Sequence, residues 1–190
     1  MTGFAPLPRL YVSAEAARRL GWVLTPAQMR DLDLLMEGAL LPLRGYDAAG
    51  PLLEVAADFA RDLEPGEDIA LRAPGGAVLA MLSVTDRWGE GPVRLAGRVK
   101  GLVPVPGQDG AQAPNALRAR FRDAGCTRVV AELGAGITLR PDNGPAVVLD
   151  LPGPVALQAR LARNHGATHL ALAGDPALAA LAAEAGLAPL

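Results

Sequence analysis

Short apolar runs separated by glycine- and proline-containing turns occupy the middle of this chain and restrict its fold more than any other feature. Between Leu52 and Val105, the runs LLEVAADFARDL, IALRA, AVLAMLSVTDRW and VRLAGRVKGLVPVP are separated by the turns EPGED, PGG and GEGP. Apolar runs of this length, bounded by Gly and Pro, are typical of strands joined by tight turns. The pattern predicts a compact, mostly antiparallel β unit.

An amphipathic helix is predicted ahead of this β unit. Thr25 and Pro26 form an N-cap and first-turn pair, and Gly38 ends a series of apolar residues at helical spacing. Further upstream, Ser13 could cap a short helix. Residues 39–52 mix Pro and Gly with leucines that need burial, which predicts a structured loop.

The composition changes after a polar linker at residues 105–114. The predicted helices ALRARFRDAG, capped by Asn115, and VALQARLARNHG alternate with the strand candidates CTRVVAEL, AVVLDL and ATHLALAG, and a last helix follows Pro176. Such alternation predicts right-handed crossovers and a small parallel sheet. We therefore expect two domains, at residues 1–107 and 115–190.

Charge, cysteine content and hydropathy argue against several classes of protein. The 18 basic residues are balanced by 20 acidic ones without a run of like charge, so no nucleic-acid partner is predicted. The only cysteine, Cys126, cannot form an internal disulfide, and the first residues lack a signal-peptide pattern, so we expect a cytoplasmic protein. No apolar stretch reaches the roughly 18 residues of a membrane span, so no membrane contact is predicted.

The segment LTPAQMRDLDLLMEGALLPLRGYDAAG, residues 24–50, resembles the N-terminal part of ATP sulfurylases (sulfate adenylyltransferases). That family has a helix ending D-L-E-L-L and then G-x-F-S-P-L-x-G-F; here Leu40 and Leu41 replace the Phe-Ser. EPGEDIALRAPGGAVLAMLSVTDRW and GPVRLAGRVKGL look like strands of the family's PUA-like domain. The resemblance implies an α+β fold, in which a PUA-like, mostly antiparallel β domain precedes a truncated, Rossmann-like α/β subdomain with a parallel sheet.

The family's catalytic motif is absent from this chain. Active members carry Q-x-R-N-x-x-H-x-x-H where residues 133–142 read LGAGITLRPD. Adenylyl transfer joins two anions and needs cationic or hydrogen-bond-donating groups, which Leu, Ala and Gly do not supply. The resemblance therefore implies a sulfurylase-like protein of sulfate activation without catalytic residues or cofactor, acting as a structural or regulatory partner. The alternatives are a residual sulfate adenylyltransferase and a PUA-like RNA-binding module.

A second match suggests cofactor-binding positions. QARLARNHGATHLALAGDP, residues 158–176, is similar to the family's R-K-N-Y-G-A-T-H-F-I-V-G-R-D-H-A-G. By this resemblance alone, Arg163, Asn164 and Asp175 are the candidate cofactor-binding residues. Because the family block between the two motifs is missing, apolar surface should need a cover. We expect a homodimer, or a complex with another sulfate-activation enzyme, formed mainly by residues 133–190; the alternative is a monomer whose shortened loops close over the sheet.

Other candidate sites have simpler structural interpretations. His165 and His169 have a spacing found in metal sites, but Gly166 should end the helix between them, so no metal is predicted. His165 is expected to be a helix-end residue favoured by the helix dipole. The glycines of ELGAGIT lack both the P-loop Lys and a complete GxGxxG, which favours a plain turn. Cys126 is expected to be a buried structural thiol.

Overall fold

The computed structural model describes residues 20–89, 91–107 and 110–190. The helix predicted from Ser13 lies outside these ranges. The described residues fall into two compact units, one within Pro8–Gln108 and the other formed by residues 110–190. Each unit contains one sheet. That the two units correspond to the predicted domains at 1–107 and 115–190 stays a prediction.

The first unit is a six-stranded sheet with two helices. Its strands follow the order β1-β4-β5-β6-β2, and β3 also pairs with β6. Strands β1 and β4 are parallel, whereas the other pairs are antiparallel. The elements are β1 (Gly21–Val23), α1 (Pro26–Met36), β2 (Gly45–Tyr46), β3 (Leu53–Val55), α2 (Ala57–Ala60), β4 (Asp68–Arg72), β5 (Val78–Trp88) and β6 (Val93–Gly101).

Apolar residues that alternate along the strands, together with apolar residues at helical spacing along α1, form one common buried core. Leu32 and Leu35 of α1 have no exposed surface, and neither do Leu53 of β3 and Val99 of β6. The predicted strand LLEVAADFARDL is shorter than expected: β3 ends at Val55 and α2 follows. Thus only the alternating part of that run remains extended.

The second unit is a five-stranded sheet with three helices. The strand order is β11-β10-β7-β8-β9. Strand β10 is parallel to both of its neighbours, β11 and β7, whereas β8 is antiparallel to both of its neighbours, β7 and β9. After a short 3-10 helix (Gly110–Gln112), the elements are α3 (Pro114–Asp123), β7 (Val129–Leu133), β8 (Ile137–Pro141), β9 (Val147–Leu149), α4 (Val155–Asn164), β10 (His169–Leu170), α5 (Ala177–Ala185) and β11 (Ala188–Pro189).

The predicted parallel sheet is wrong, because residues 129–141 form an antiparallel hairpin. Strand β7 ends at Leu133 and β8 begins at Ile137, and the Gly134 amide donates to the Gly136 carbonyl at 3.0 Å. So short a connection joins only antiparallel strands, since a parallel pair needs a crossover of a dozen or more residues. Strand β9 then adds antiparallel to β8. Both sheets of the protein are therefore mixed.

The predicted start of α3 also changes. The helix begins at Pro114 with Ala113 as its N-cap, so Asn115 lies inside the first turn. Proline suits this position because the first helical N–H groups have no partner within the helix. Across the described residues, no helix is both long and apolar enough to cross a membrane.

Candidate functional site

The three cofactor-binding candidates do not converge. Arg163 and Asn164 form the last turn of α4, and Asp175 precedes α5. The Arg163 Nε lies 3.7 Å from where a Cβ on Gly186 would stand, at the C-terminal end of α5. A nine-residue helix is about 13 Å long, and Asp175 lies at its other end. The structure therefore separates Asp175 from Arg163 by the length of α5, and their part in cofactor binding stays a prediction.

Each of these residues has a local structural role. The Asp175 Oδ1 accepts the Ala177 N–H at 2.9 Å, which holds the turn that begins α5. The carbonyl oxygens of Arg163 and Asn164 each accept from Arg118 Nη1 at 3.4 Å. A cation at the end of α4 satisfies carbonyls that lack a helical partner and complements the helix dipole.

His165 lies beside this helix end with a neutral ring. It caps α4, is 2% exposed, and its Nδ1 donates to the Leu161 carbonyl at 2.7 Å. Burial, opposed by the hydrogen bond to Leu161 and assisted by the nearby Arg118 charge, lowers the pKa of His165 to about 4. The predicted helix-end position of His165 is confirmed, but the ring is neutral because desolvation outweighs the attraction of the helix dipole for a charged form.

His169 belongs to another element and another hydrogen-bond group. Its Nδ1 lies 2.8 Å from the Thr168 Oγ1, which also accepts the Val129 N–H at 2.9 Å. The His165 and His169 rings thus serve a helix end and a strand. Within the described ranges, no group of three or more His, Cys, Asp and Glu side chains is placed to hold a metal ion.

The glycines of ELGAGIT form the β7–β8 turn, which is hydrogen-bonded to a side chain of α4. The fully buried Gln158 donates from Nε2 to the carbonyls of Gly134 at 2.8 Å and Leu151 at 3.1 Å. Gly136 packs so closely against the Leu149 carbonyl that a side chain has no room there. The turn therefore has a packing role. Cys126 is buried as well, with its Sγ donating to the Asn143 carbonyl at 3.1 Å.

A cavity in the first unit gathers functional groups that sequence reasoning missed. It has a volume of about 300 Å³ and lies where β2 joins β6. We call it the Arg44–Arg98 groove, after the two basic residues in its lining. The lining residues are Leu43, Arg44, Gly45, Tyr46, Asp47, Thr85, Ala96, Gly97 and Arg98.

The strands of the groove approach each other closely because two residues lack side chains. A Cβ on Gly45 would collide with the Gly97 carbonyl, and one on Gly97 would collide with the Ser83 carbonyl. Neither contact is with a movable side chain, so both positions require glycine. The approach places Gly45 opposite Arg98 in the ladder, and the Val99 amide donates to the Arg44 carbonyl at 3.0 Å. Arg44 and Arg98 thereby meet at one cavity.

One sequence signal could have identified this groove. Arg94, Arg98 and Lys100 are separated by even numbers of residues in the β6 segment VRLAGRVKG. In a strand, such spacing places side chains on one face. The spacing alone does not place Arg44 beside these residues, because the pairing of β2 with β6 is a long-range contact that the local pattern does not contain.

Comparison with known proteins identifies the fold. No protein-family model matches the chain, and no curated protein does. Among solved structures, the hexameric APS kinase from Thiobacillus denitrificans is similar, with a TM-score of 0.74 and 23% sequence identity. The match covers 96% of this chain and 55% of that kinase. The chain thus shares its fold with a little over half of the kinase chain.

This comparison corrects the relationship, fold class and function predicted from the sequence. The matching structure is described as an APS kinase, and no family model links the chain to ATP sulfurylases, so that relationship is overturned. The PUA-like domain with a truncated Rossmann-like subdomain is replaced by an APS-kinase-like fold with two mixed sheets. The sulfurylase function and its two alternatives, residual adenylyltransferase and RNA-binding module, fall with it. The match in residues 24–50 rests largely on turn glycines, a proline and leucines, which serve packing rather than a specific chemistry.

Proposed function

We propose that this chain acts in sulfate activation as an assembly-forming module of an APS kinase system, where APS is adenylyl sulfate. The observation that carries the proposal is the fold match, in which 96% of this chain superposes on 55% of a hexameric APS kinase. The rest of that kinase has no equivalent here. The chain therefore corresponds to a large part of an oligomeric sulfate-activation protein.

The absence of a phosphate-binding motif favours an assembly role over phosphoryl transfer. P-loop kinases hold the nucleotide phosphates with a Gly-rich loop and a lysine in the pattern G-x-x-x-x-G-K-[ST]. This sequence has no such pattern, and its sole lysine, Lys100, belongs to β6. Transfer of phosphate to APS would thus rely on a kinase domain outside these 190 residues.

The second unit offers a surface for association with further copies of the chain. Strand β9 is an edge strand, hydrogen-bonded only to β8 among the described residues, and its central Val148 is 66% exposed. An open strand edge with an exposed apolar side chain is a ready site for pairing with another chain. The hexameric state of the structural relative favours a second copy as the occupant.

Light scattering on the purified protein tests this proposal. We expect a mass that is a multiple of 19.6 kDa at micromolar concentration. Val148→Lys should lower that mass, because a buried, unpaired ammonium group is costly. Val103→Lys is the matched control, since Val103 is 44% exposed but belongs to the first unit.

Two results would contradict the whole proposal, and a third would contradict its assignment to β9. One is a monomer of 19.6 kDa that remains monomeric when a separately purified APS kinase domain is added. The other is phosphoryl transfer from ATP to APS, at an ordinary enzymatic rate, by this chain alone. A lower mass in both lysine variants would place the association surface elsewhere than β9 and overturn that part of the proposal.

A further inference from the structure

The Arg44–Arg98 groove is lined by two arginines that form no ion pair with any described residue. Neither guanidinium forms an ion pair with a carboxylate in the part of the chain that the structure describes. Arg94, on the same strand as Arg98, shows the usual arrangement: its Nε lies 3.0 Å from the Glu54 Oε1. The sheet thus neutralises one arginine of β6 and leaves the other facing a cavity with Arg44.

Two guanidinium groups that line one concave site repel each other unless an anion lies between them. Each guanidinium presents five N–H donors in a planar fork that matches carboxylate, sulfate or phosphate oxygens. Hydrogen bonds from such a group to an anion are about twice as strong as neutral ones. The lining therefore has the donors and the charge that an oxyanion requires.

A β-bulge adds a neutral donor to the same site. Val84 pairs with Gly97 and Asp86 with Ala96, so Thr85 is the extra residue on β5. Bulges redirect the side chain of the extra residue, and they are common beside functional sites. The exposed Thr85 lines the groove, and its hydroxyl has no hydrogen-bond partner among the described residues.

The opposing charge in the groove is Asp47. Its Oδ1 accepts the Ala49 N–H at 2.9 Å, so the carboxylate is held in the turn that follows β2. With two arginines and one aspartate, the lining retains a single net positive charge. Asp47 should weaken the binding of an anion by repulsion. Removal of its charge should therefore tighten anion binding.

We propose that the Arg44–Arg98 groove binds a tetrahedral oxyanion, namely a sulfate or phosphate group, through Arg44, Arg98 and the Thr85 hydroxyl. A cavity of about 300 Å³ holds such a group together with a small attached moiety. The group is either a free inorganic ion or the terminal group of a larger molecule. This inference rests on the first unit alone and does not depend on the proposed assembly function.

Titrations monitored by NMR and by calorimetry test the proposal on the full chain. Sodium sulfate, inorganic phosphate and adenosine 5′-monophosphate are added at constant ionic strength, with sodium chloride as the reference. We expect saturable binding of at least one oxyanion, with shifts of the Gly45, Gly97 and Thr85 amide resonances. Tighter binding of the nucleotide than of either inorganic ion would identify the ligand as a larger molecule, and equal binding a free ion.

Variants then assign the binding to the groove. Arg98→Gln and Arg44→Gln should each raise the Kd about tenfold or more, since each loses charge-assisted hydrogen bonds. Asp47→Asn should lower the Kd. Arg94→Gln is the matched control because this arginine is on the same strand but is paired with Glu54. It should leave the Kd within about twofold.

Three outcomes would overturn the proposal. The first is the absence of saturable binding by wild-type protein, which needs no variant to fold. The second is a Kd that Arg98→Gln leaves unchanged while the resonances of other regions shift. The third is an equal loss of affinity in Arg94→Gln and Arg98→Gln, which would indicate a general response to surface charge.

Discussion

Thr25 and Gln28 satisfy each other's hydrogen bonds at the start of α1. The backbone N–H of Gln28 donates to the Thr25 Oγ1 at 3.2 Å, and the backbone N–H of Thr25 donates to the side-chain Oε1 of Gln28 at 3.0 Å. Gln28 also donates from Nε2 to the Glu54 carbonyl at 2.6 Å, which joins the helix to β3. One side chain therefore stabilises both the local helix start and its tertiary position.

Gln28→Glu separates these two roles. Glutamate keeps the acceptor of the capping box but has no donor for the Glu54 carbonyl, so we expect a loss of about 1–3 kcal/mol at pH 7. Protonation of the new carboxyl at low pH should restore part of that loss. Urea unfolding measures the change. Thr25→Ser, which keeps the hydroxyl, is the control. If Gln28→Glu left the free energy of unfolding unchanged, the bond to Glu54 would have no energetic role.

Acid should destabilise the protein through His165. Its native pKa of about 4 lies below the unfolded value of 6.5, so the unfolded state binds more protons. The contribution of the neutral ring is full above pH 6.5 and is lost as the pH falls towards 4, by up to about 3 kcal/mol. Replacing His165 by Asn should remove this pH dependence. Urea unfolding at pH 7.5, 5.5 and 4.5 measures it, with His169→Asn as the control for loss of an imidazole.

Asp33 should have the opposite pH dependence. Burial, with a smaller contribution from the Glu37 charge one turn away, raises the pKa of Asp33 to about 6. Because the native pKa exceeds the unfolded value, the contribution of this carboxyl is full below pH 3.8 and is lost as the pH rises through 6. Asp33→Asn should therefore stabilise the protein at pH 8 by about 1 kcal/mol, once solvent screening of this partly exposed group is allowed for.

Thermal unfolding at pH 8 and pH 4 checks the Asp33 prediction. The gain should shrink at the lower pH, where the native carboxyl is already protonated. Asp62→Asn, at an exposed position, controls for the loss of one negative charge from the surface. An equal gain in both variants, or a larger gain at pH 4, would contradict the prediction.

Gly45→Ala should disrupt the junction of β2 and β6. The added Cβ would meet the Gly97 carbonyl and the Arg98 Cα, both of them backbone atoms that cannot move independently. We expect a destabilisation of about 3 kcal/mol in urea unfolding, at the upper end of overpacking effects. Gly75→Ala is the control, because no atom lies within 4 Å of its added Cβ and its φ is not positive. Equal stability of the two variants would refute the prediction.

The termini of α1, α4 and α5 were the most predictable part of the fold. Helix α1 starts at Pro26 behind Thr25, and α4 follows Gly153 and Pro154, as the sequence indicates. Helix α5 ends at Gly186 in the left-handed conformation. These features depend on residues within one or two turns of each other, so a capping side chain or a glycine determines them locally.

The function was less predictable, because similar local patterns serve different proteins. Turn glycines and core leucines in residues 24–50 matched an ATP sulfurylase pattern, yet in this fold they end α1 and bring β2 against β6. The matched positions carried no catalytic group. A resemblance limited to packing and turn residues therefore did not fix the family.

The sequence by itself determined where α1, α4 and α5 begin, that Cys126 has no internal disulfide partner, and that the chain lacks a P-loop lysine. Tertiary structure alone decided that β8 returns antiparallel to β7, and that Arg44 and Arg98 share one cavity. The physical reason is the distance along the chain between the residues that interact. Capping and turns are set by neighbours in the chain, whereas strand pairing and pocket formation depend on contacts between distant segments whose backbones approach only where glycines leave room.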